Sequence, residues 1–139
     1  MNILFLCVAN SARSQMAEGL AKEILGEGYD IQSAGSEPSG KVHPGAIKSL
    51  SHIGIDISKN TSKCIDQLSQ SFIEELDYVV TLCKEEVCPL FISKAKRLHW
   101  PIEDPAISIL NEEEIDLRFK IARDIIKTKI NKFSIKIHQ

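Results

Sequence analysis

Two rhythms alternate along the chain. Short unbroken apolar runs mark strands buried on both faces, and stretches where apolar residues return every three or four positions mark helices with one buried side. Asn2 to Leu6 is the first such run. Gln15 to Leu25 follows at helical spacing, with Met16, Ala17, Leu20, Ala21 and Ile24 on one side and Gly26 and Gly28 to end it. Tyr29 to Ala34 reads as a second strand. Gly35 to Gly45 reads as a loop of turn residues, and Ala46 to Ile53 as a short helix begun by Pro44 and stopped by Gly54. Asp77 to Leu82 is a third buried-type strand and Lys96 to Trp100 a short fourth, while the two prolines of Pro101 to Ala106 demand a loop. The last helix has a cap in Asn111, a capping-box partner in Glu114 and an apolar stripe through Ile115, Phe119, Ala122, Ile126, Ile130 and Phe133. Acidic residues lead it and lysines trail it, complementing its dipole. Strands alternating with helices predict a single-domain α/β fold in three layers, α/β/α, around a central parallel four-stranded sheet. Ligands of such folds gather beyond the carboxyl ends of the strands, where Cys7, Cys83 and Asp104 are expected.

The 139 residues suit one domain spanning 1–139, large enough to bury a core without disulfides or a structural metal. A net charge of -2 leaves no electrostatic footprint for nucleic acid or an anionic membrane. The opening MNILFLC lacks the length and basic flank of a signal peptide, and no apolar run is long enough to span a bilayer, so a cytoplasmic location is expected. Cysteines stand at positions 7, 64, 83 and 88. In a reducing compartment they point to catalysis, redox exchange or metal binding, with plain burial as the alternative.

The turn C-V-A-N-S-A-R-S, Cys7 to Ser14, joins a buried strand to a helix. Its amides (Val8, Ala9, Asn10, Ser11, Ala12) and the helix's positive end can cradle a tetrahedral oxyanion, with the Arg13 fork and the hydroxyls of Ser11 and Ser14 as further donors. Surroundings of this kind favour a thiolate, the reactive form, and place Cys7 as a nucleophile beneath the bound anion. A bare C-x5-R arises often by chance, but here a strand precedes it and a helix starts on cue. Asp104, before Pro105, is the candidate acid that protonates a departing oxygen. Alone, Asp-Pro is an ordinary turn. In TLCKEEVCP, Cys83 ends a strand and Cys88 follows across a polar segment. Two inert cysteines, half of a zinc site with His99 and Cys64, and a redox pair are the alternatives. The spacing matches no common zinc knuckle, and the redox pair is the more economical reading.

Taken together, CVANSARSQMAEG, the SAG of Ser33 to Gly35, the GIDIS of Gly54 to Ser58, VVTLC ending at Cys83, the Cys-Pro at Cys88 and HWPIEDPA resemble the thioredoxin-coupled arsenate reductases. That family shares the fold and phosphate loop of the low-molecular-weight protein tyrosine phosphatases. The resemblance covers nearly the whole chain and implies a three-thiol relay. Cys7 attacks arsenate while Asp104 protonates the departing hydroxyl, and Arg13 and the loop amides hold the oxyanion. Cys83 attacks the adduct, arsenite leaves, and Cys88 draws the disulfide onto Cys83–Cys88 for thioredoxin to reduce. Relatives often space the second and third cysteines more widely than the four intervening residues found here. Some bind a potassium ion through an asparagine, a glutamate, a serine and an aspartate. Asn10, Glu18 and Ser33 match, and Lys63 stands in the aspartate's place with a positive charge of its own. Apart from that ion, no metal and no cofactor is expected.

Cys64 reads as a small buried filler, and His99 and Trp100 as packing beside the sheet. His43 and His52 carry no signal. Two rivals stand beside the reductase. A phosphatase acting on phosphate monoesters would use the same loop, but tyrosines usually follow its Asp-Pro, where Ala106 and Ile107 stand here. A non-enzymatic oxyanion or arsenite-binding protein would use Cys83 and Cys88 as soft ligands and show binding without turnover. Glutaredoxin or a small thiol are alternatives to thioredoxin. With no coiled-coil or sheet-edge signal, a monomer is the default.

Overall fold

The structure is a computed structural model that describes residues 1–84, 94–107 and 110–138. Four strands, β1 (Asn2–Cys7), β2 (Asp30–Gly35), β3 (Leu76–Thr81) and β4 (Lys96–His99), form one sheet in the order β2-β1-β3-β4. Every pairing is parallel. The α-helices among the described residues are α1 (Arg13–Leu25), α2 (Pro44–Ser51), α3 (Gln70–Glu74) and α4 (Glu112–Ile137). The predicted parallel α/β architecture is therefore the one observed.

Side chains of β1 alternate between the two faces, as a strand requires. Ile3 and Phe5 join the larger core with Met16, Leu20, Leu50, Phe119, Ile126 and Phe133. Leu4 and Leu6 join a smaller one with Ala34, Leu68, Phe72 and Val79. Helices α1, α2 and α4 thus cover one face, and α3 with the 3-10 turn Ile65–Gln67 lies on the other. The second layer was expected, but the elements that form it went unread in the sequence. Ten residues hold two elements too short for a period to show, although Ser69 is an ordinary cap whose hydroxyl accepts from the Phe72 amide.

Most boundaries fall within two residues of expectation. Two of the shifts matter to the site. β1 runs on to Cys7, which pairs with Gly35, and α1 begins at Arg13 instead of Gln15. The predicted stripe of α4 is the buried one, with Phe119, Ala122, Ile126, Ile130 and Phe133 all inside. Asn111 caps that helix by accepting from the Glu114 amide at 2.9 Å. Trp100 packs between Phe5 and Phe133, as read, with ring centroids 6.1 Å from each.

Candidate active site

Cys7 ends β1, and the loop to α1 turns immediately beyond it. The outward carbonyls of this loop are all engaged. Val8 accepts from the Glu37 amide, Ala9 from Ser39 and Ser11 from His43, at 2.9–3.0 Å. In a trans peptide the N–H points opposite to the C=O of the same unit. Tying back those three carbonyls therefore turns the amides of Ala9, Asn10 and Ala12 the other way, which is how a loop becomes an anion cradle. Asn10 makes the turn in the left-handed region, φ 48°, which asparagine tolerates better than most residues. Gly35 allows the close approach, because a Cβ there would lie 2.3 Å from the Val8 carbonyl oxygen.

The thiol is held from behind. Cys7 Sγ lies 2.8 Å from Ser14 Oγ, and Asn10 Nδ2 lies 2.8 Å from that same oxygen. The orientation of this chain follows from one fixed donor. The Lys63 backbone N–H can only donate, so the Asn10 atom 2.9 Å away is Oδ1, and Nδ2 faces Ser14. Ser14 Oγ accepts that proton and is left to donate its own to sulfur. Behind Asn10, Gln15 Nε2 donates to Asn10 Oδ1 and to the Thr61 carbonyl, and Asn60 Nδ2 donates to Gln15 Oε1 and Glu18 Oε2. Every buried side-chain nitrogen and oxygen among the described residues has a partner.

Arg13 is buried, and its Nη1 donates to the Ile102 carbonyl at 2.9 Å. This bond joins the first turn of α1 to the loop that carries Asp104. Asp104 Oδ1 accepts from the Ala106 amide across Pro105, a side-chain turn that fixes the carboxyl. Cys7, Val8, Ala9, Ser11, Ala12, Arg13 and Asp104 line one cavity of about 270 Å³, together with Ser39, His43 and Ala106. Two residues of the predicted cradle turn their side chains away from it, although the Asn10 amide still faces inward. The side chains of Asn10 and Ser14 lie behind the loop, fully buried, and serve the sulfur and the scaffold. His43 is the residue that sequence reasoning missed. Burial holds its imidazole below the ordinary value, with the Asp104 charge opposing.

Cys83 is buried just past β3, where the Leu82 amide still bonds to the Leu6 carbonyl of neighbouring β1. It does not line the cavity. Cys88 lies outside the described residues. Cys64, only partly buried, pairs with Gly35 through backbone and lines no part of the cavity. A larger groove of about 590 Å³ runs between the Asp-Pro loop and α4, but its described lining carries no thiol. Cys7, Arg13 and Asp104 meet in the smaller cavity.

Glu18 gathers the residues that matched a potassium site. Its carboxylate accepts from Ser33 Oγ at 2.8 Å and pairs with Lys22 at 3.1 Å and Lys63 at 3.8 Å. One anion already faces two ammonium groups, so the set does not fit an added cation.

Comparison with known proteins agrees with this geometry. The family described as "Low molecular weight phosphotyrosine protein phosphatase" matches residues 2–139. An arsenate reductase of Halalkalibacterium halodurans is 46% identical over 134 residues, 95% of this chain and 94% of the relative. A solved structure described as an arsenate reductase in the phosphate binding state superposes with a TM-score of 0.78 at 31% identity, covering 98% of each chain. A thioredoxin-dependent arsenate reductase of Corynebacterium glutamicum gives 0.73 at 29% identity, covering 99% of this chain and 63% of that one. No helix among the described residues is long and apolar enough to cross a membrane. With a phosphate loop that closes around Cys7 and a match that runs from residue 2 to residue 139, the chain belongs to the low molecular weight phosphotyrosine protein phosphatase family.

Proposed function

We propose that the chain is an arsenate reductase that passes two electrons to arsenate through Cys7, Cys83 and Cys88 and is recycled by thioredoxin. One observation carries the reading. The cavity that joins Cys7, Arg13 and Asp104 is enough for hydrolysis, yet a second buried thiol, Cys83, stands at the end of the adjacent strand. Hydrolysis does not require it beyond packing, and a thiol relay does.

In the first step Cys7 thiolate attacks arsenic. A sulfur–arsenic bond forms, an arsenic–oxygen bond breaks, and Asp104 gives its proton to the leaving oxygen, which departs as water. Arg13 and the amides of the loop hold the remaining oxygens. Next, Cys83 thiolate attacks Cys7 Sγ. The disulfide forms, the sulfur–arsenic bond breaks, and its electron pair stays on arsenic, which leaves as arsenite. Cys88 thiolate then attacks Cys83 and frees Cys7 as a thiolate. A thioredoxin dithiol reduces the Cys83–Cys88 bond and is itself oxidised. The last two steps are thiol–disulfide exchange, and all of them begin with attack by a thiolate, which a reducing, cytoplasmic setting keeps available.

The relay predicts the product of an interrupted cycle. Cys88→Ser, given arsenate without reductant, should release one equivalent of arsenite and stop as a Cys7–Cys83 disulfide, identified by peptide mapping. Release of no arsenite, or a disulfide that excludes Cys7, would overturn the order of steps.

A further inference from the structure

His43 precedes Pro44 and caps α2, its Nδ1 accepting from the Gly45 amide at 2.9 Å. An amide N–H can only donate, so Nδ1 is bare and a neutral ring carries its proton on Nε2. One further contact holds the ring, and two hold the backbone around it. The ring stacks on Phe119, with centroids 4.8 Å apart and planes at 30°. Gly45 lies so close beneath Phe119 that a Cβ would meet the aromatic ring at 2.5 Å. The His43 backbone N–H donates to the Ser11 carbonyl at 2.9 Å, tying it to the anion loop itself. Capping needs only a short acceptor, and asparagine, aspartate or serine supply one at least as well. A histidine in this place adds a donor that the helix does not use, and His43 lines the same cavity as Cys7, Arg13 and Asp104.

We propose that His43 is a substrate-positioning residue, a neutral imidazole whose Nε2–H binds an oxygen of the tetrahedral oxyanion alongside the Arg13 guanidinium. The inference rests on the oxyanion site read above and not on which reaction follows binding. Neutrality has a purpose here. An imidazolium would lose the Gly45 bond, and its charge would favour the carboxylate form of Asp104, which cannot protonate the leaving oxygen. Burial of the ring acts in the same direction.

The test separates cap from donor. His43→Asn keeps an acceptor for Gly45 and removes the Nε2–H, and His43→Ala removes both. For His43→Asn, Kd for inorganic phosphate and KM for arsenate should each rise about tenfold, with kcat within about twofold and Tm close to wild type. His43→Ala should show the same loss of affinity and a lower Tm. In the unaltered protein, the His43 Nε2 resonance should shift when inorganic phosphate is added. Wild-type affinity in His43→Asn, an unmoved resonance, or a loss of kcat at constant Kd would each overturn the proposal. A wild type that binds phosphate but does not turn arsenate over would defeat the reductase reading while leaving the His43 result decisive.

Discussion

Cys7 receives its hydrogen bond from a hydroxyl whose own direction is imposed by Asn10 and, behind it, by the Lys63 amide. Ser14→Ala removes that donor and leaves Asn10 Nδ2 buried without a partner. Stability should fall by about 1–3 kcal/mol in urea titration, and kcat/KM by at least about tenfold. A variant with wild-type kcat/KM would show that the hydroxyl does not serve the sulfur. Lys63 supports a second expectation. Its ammonium already faces Glu18, so turnover should be equal in potassium and choline chloride at matched ionic strength. Stimulation of several-fold by potassium would contradict it. Cys7, Arg13 and Asp104 were legible in the sequence because a contiguous turn and an Asp-Pro loop announce them. The division of labour inside the turn was not. Spacing does not reveal that Asn10 and Ser14 point behind the loop while its backbone faces the anion, because this depends on carbonyls captured by residues 37, 39 and 43.

The elements that build the site meet at their ends. β1 stops at Cys7, α1 starts at Arg13, and α2 starts one residue after His43. The cap of α2 ties stability to pH. Because the folded protein holds the His43 imidazole below its ordinary value of 6.5, the unfolded chain binds that proton first as pH falls. Stability contributed by the neutral ring is complete above 6.5 and is lost as pH falls from there through the folded protein's lower value. The wild-type urea midpoint should therefore fall more than that of His43→Asn between about pH 7.5 and about pH 5.5. Equal falls in both proteins would mean that the ring is not held neutral. Long periodic elements such as α1 and α4 were read correctly because one face carries an unbroken stripe. His43 was passed over because it sits in a turn-rich loop, and only folding brings it to Asp104. The turn Ile65–Gln67 and α3 were missed for want of length.

Across the whole molecule, the parallel sheet does one thing that no single element could. Because β1 and β3 are neighbours running the same way, their carboxyl ends bring the anion loop and Cys83 to one edge of the fold. Hydrogen bonds from Leu82 and Trp100 then carry the chain onward to Ile102, the Arg13 anchor, and so to Asp104. Such an assembly serves oxyanion binding in either a reductase or a phosphatase, and the downstream thiols distinguish the two. The most direct measurement is arsenate-dependent NADPH oxidation, with thioredoxin and thioredoxin reductase supplied, on wild type, Cys83→Ser and Cys88→Ser. Sustained turnover in wild type that is lost in both variants is the predicted result. No turnover in wild type, with phosphate-ester hydrolysis surviving both substitutions, would contradict the relay and leave the cavity at Cys7 to a phosphatase.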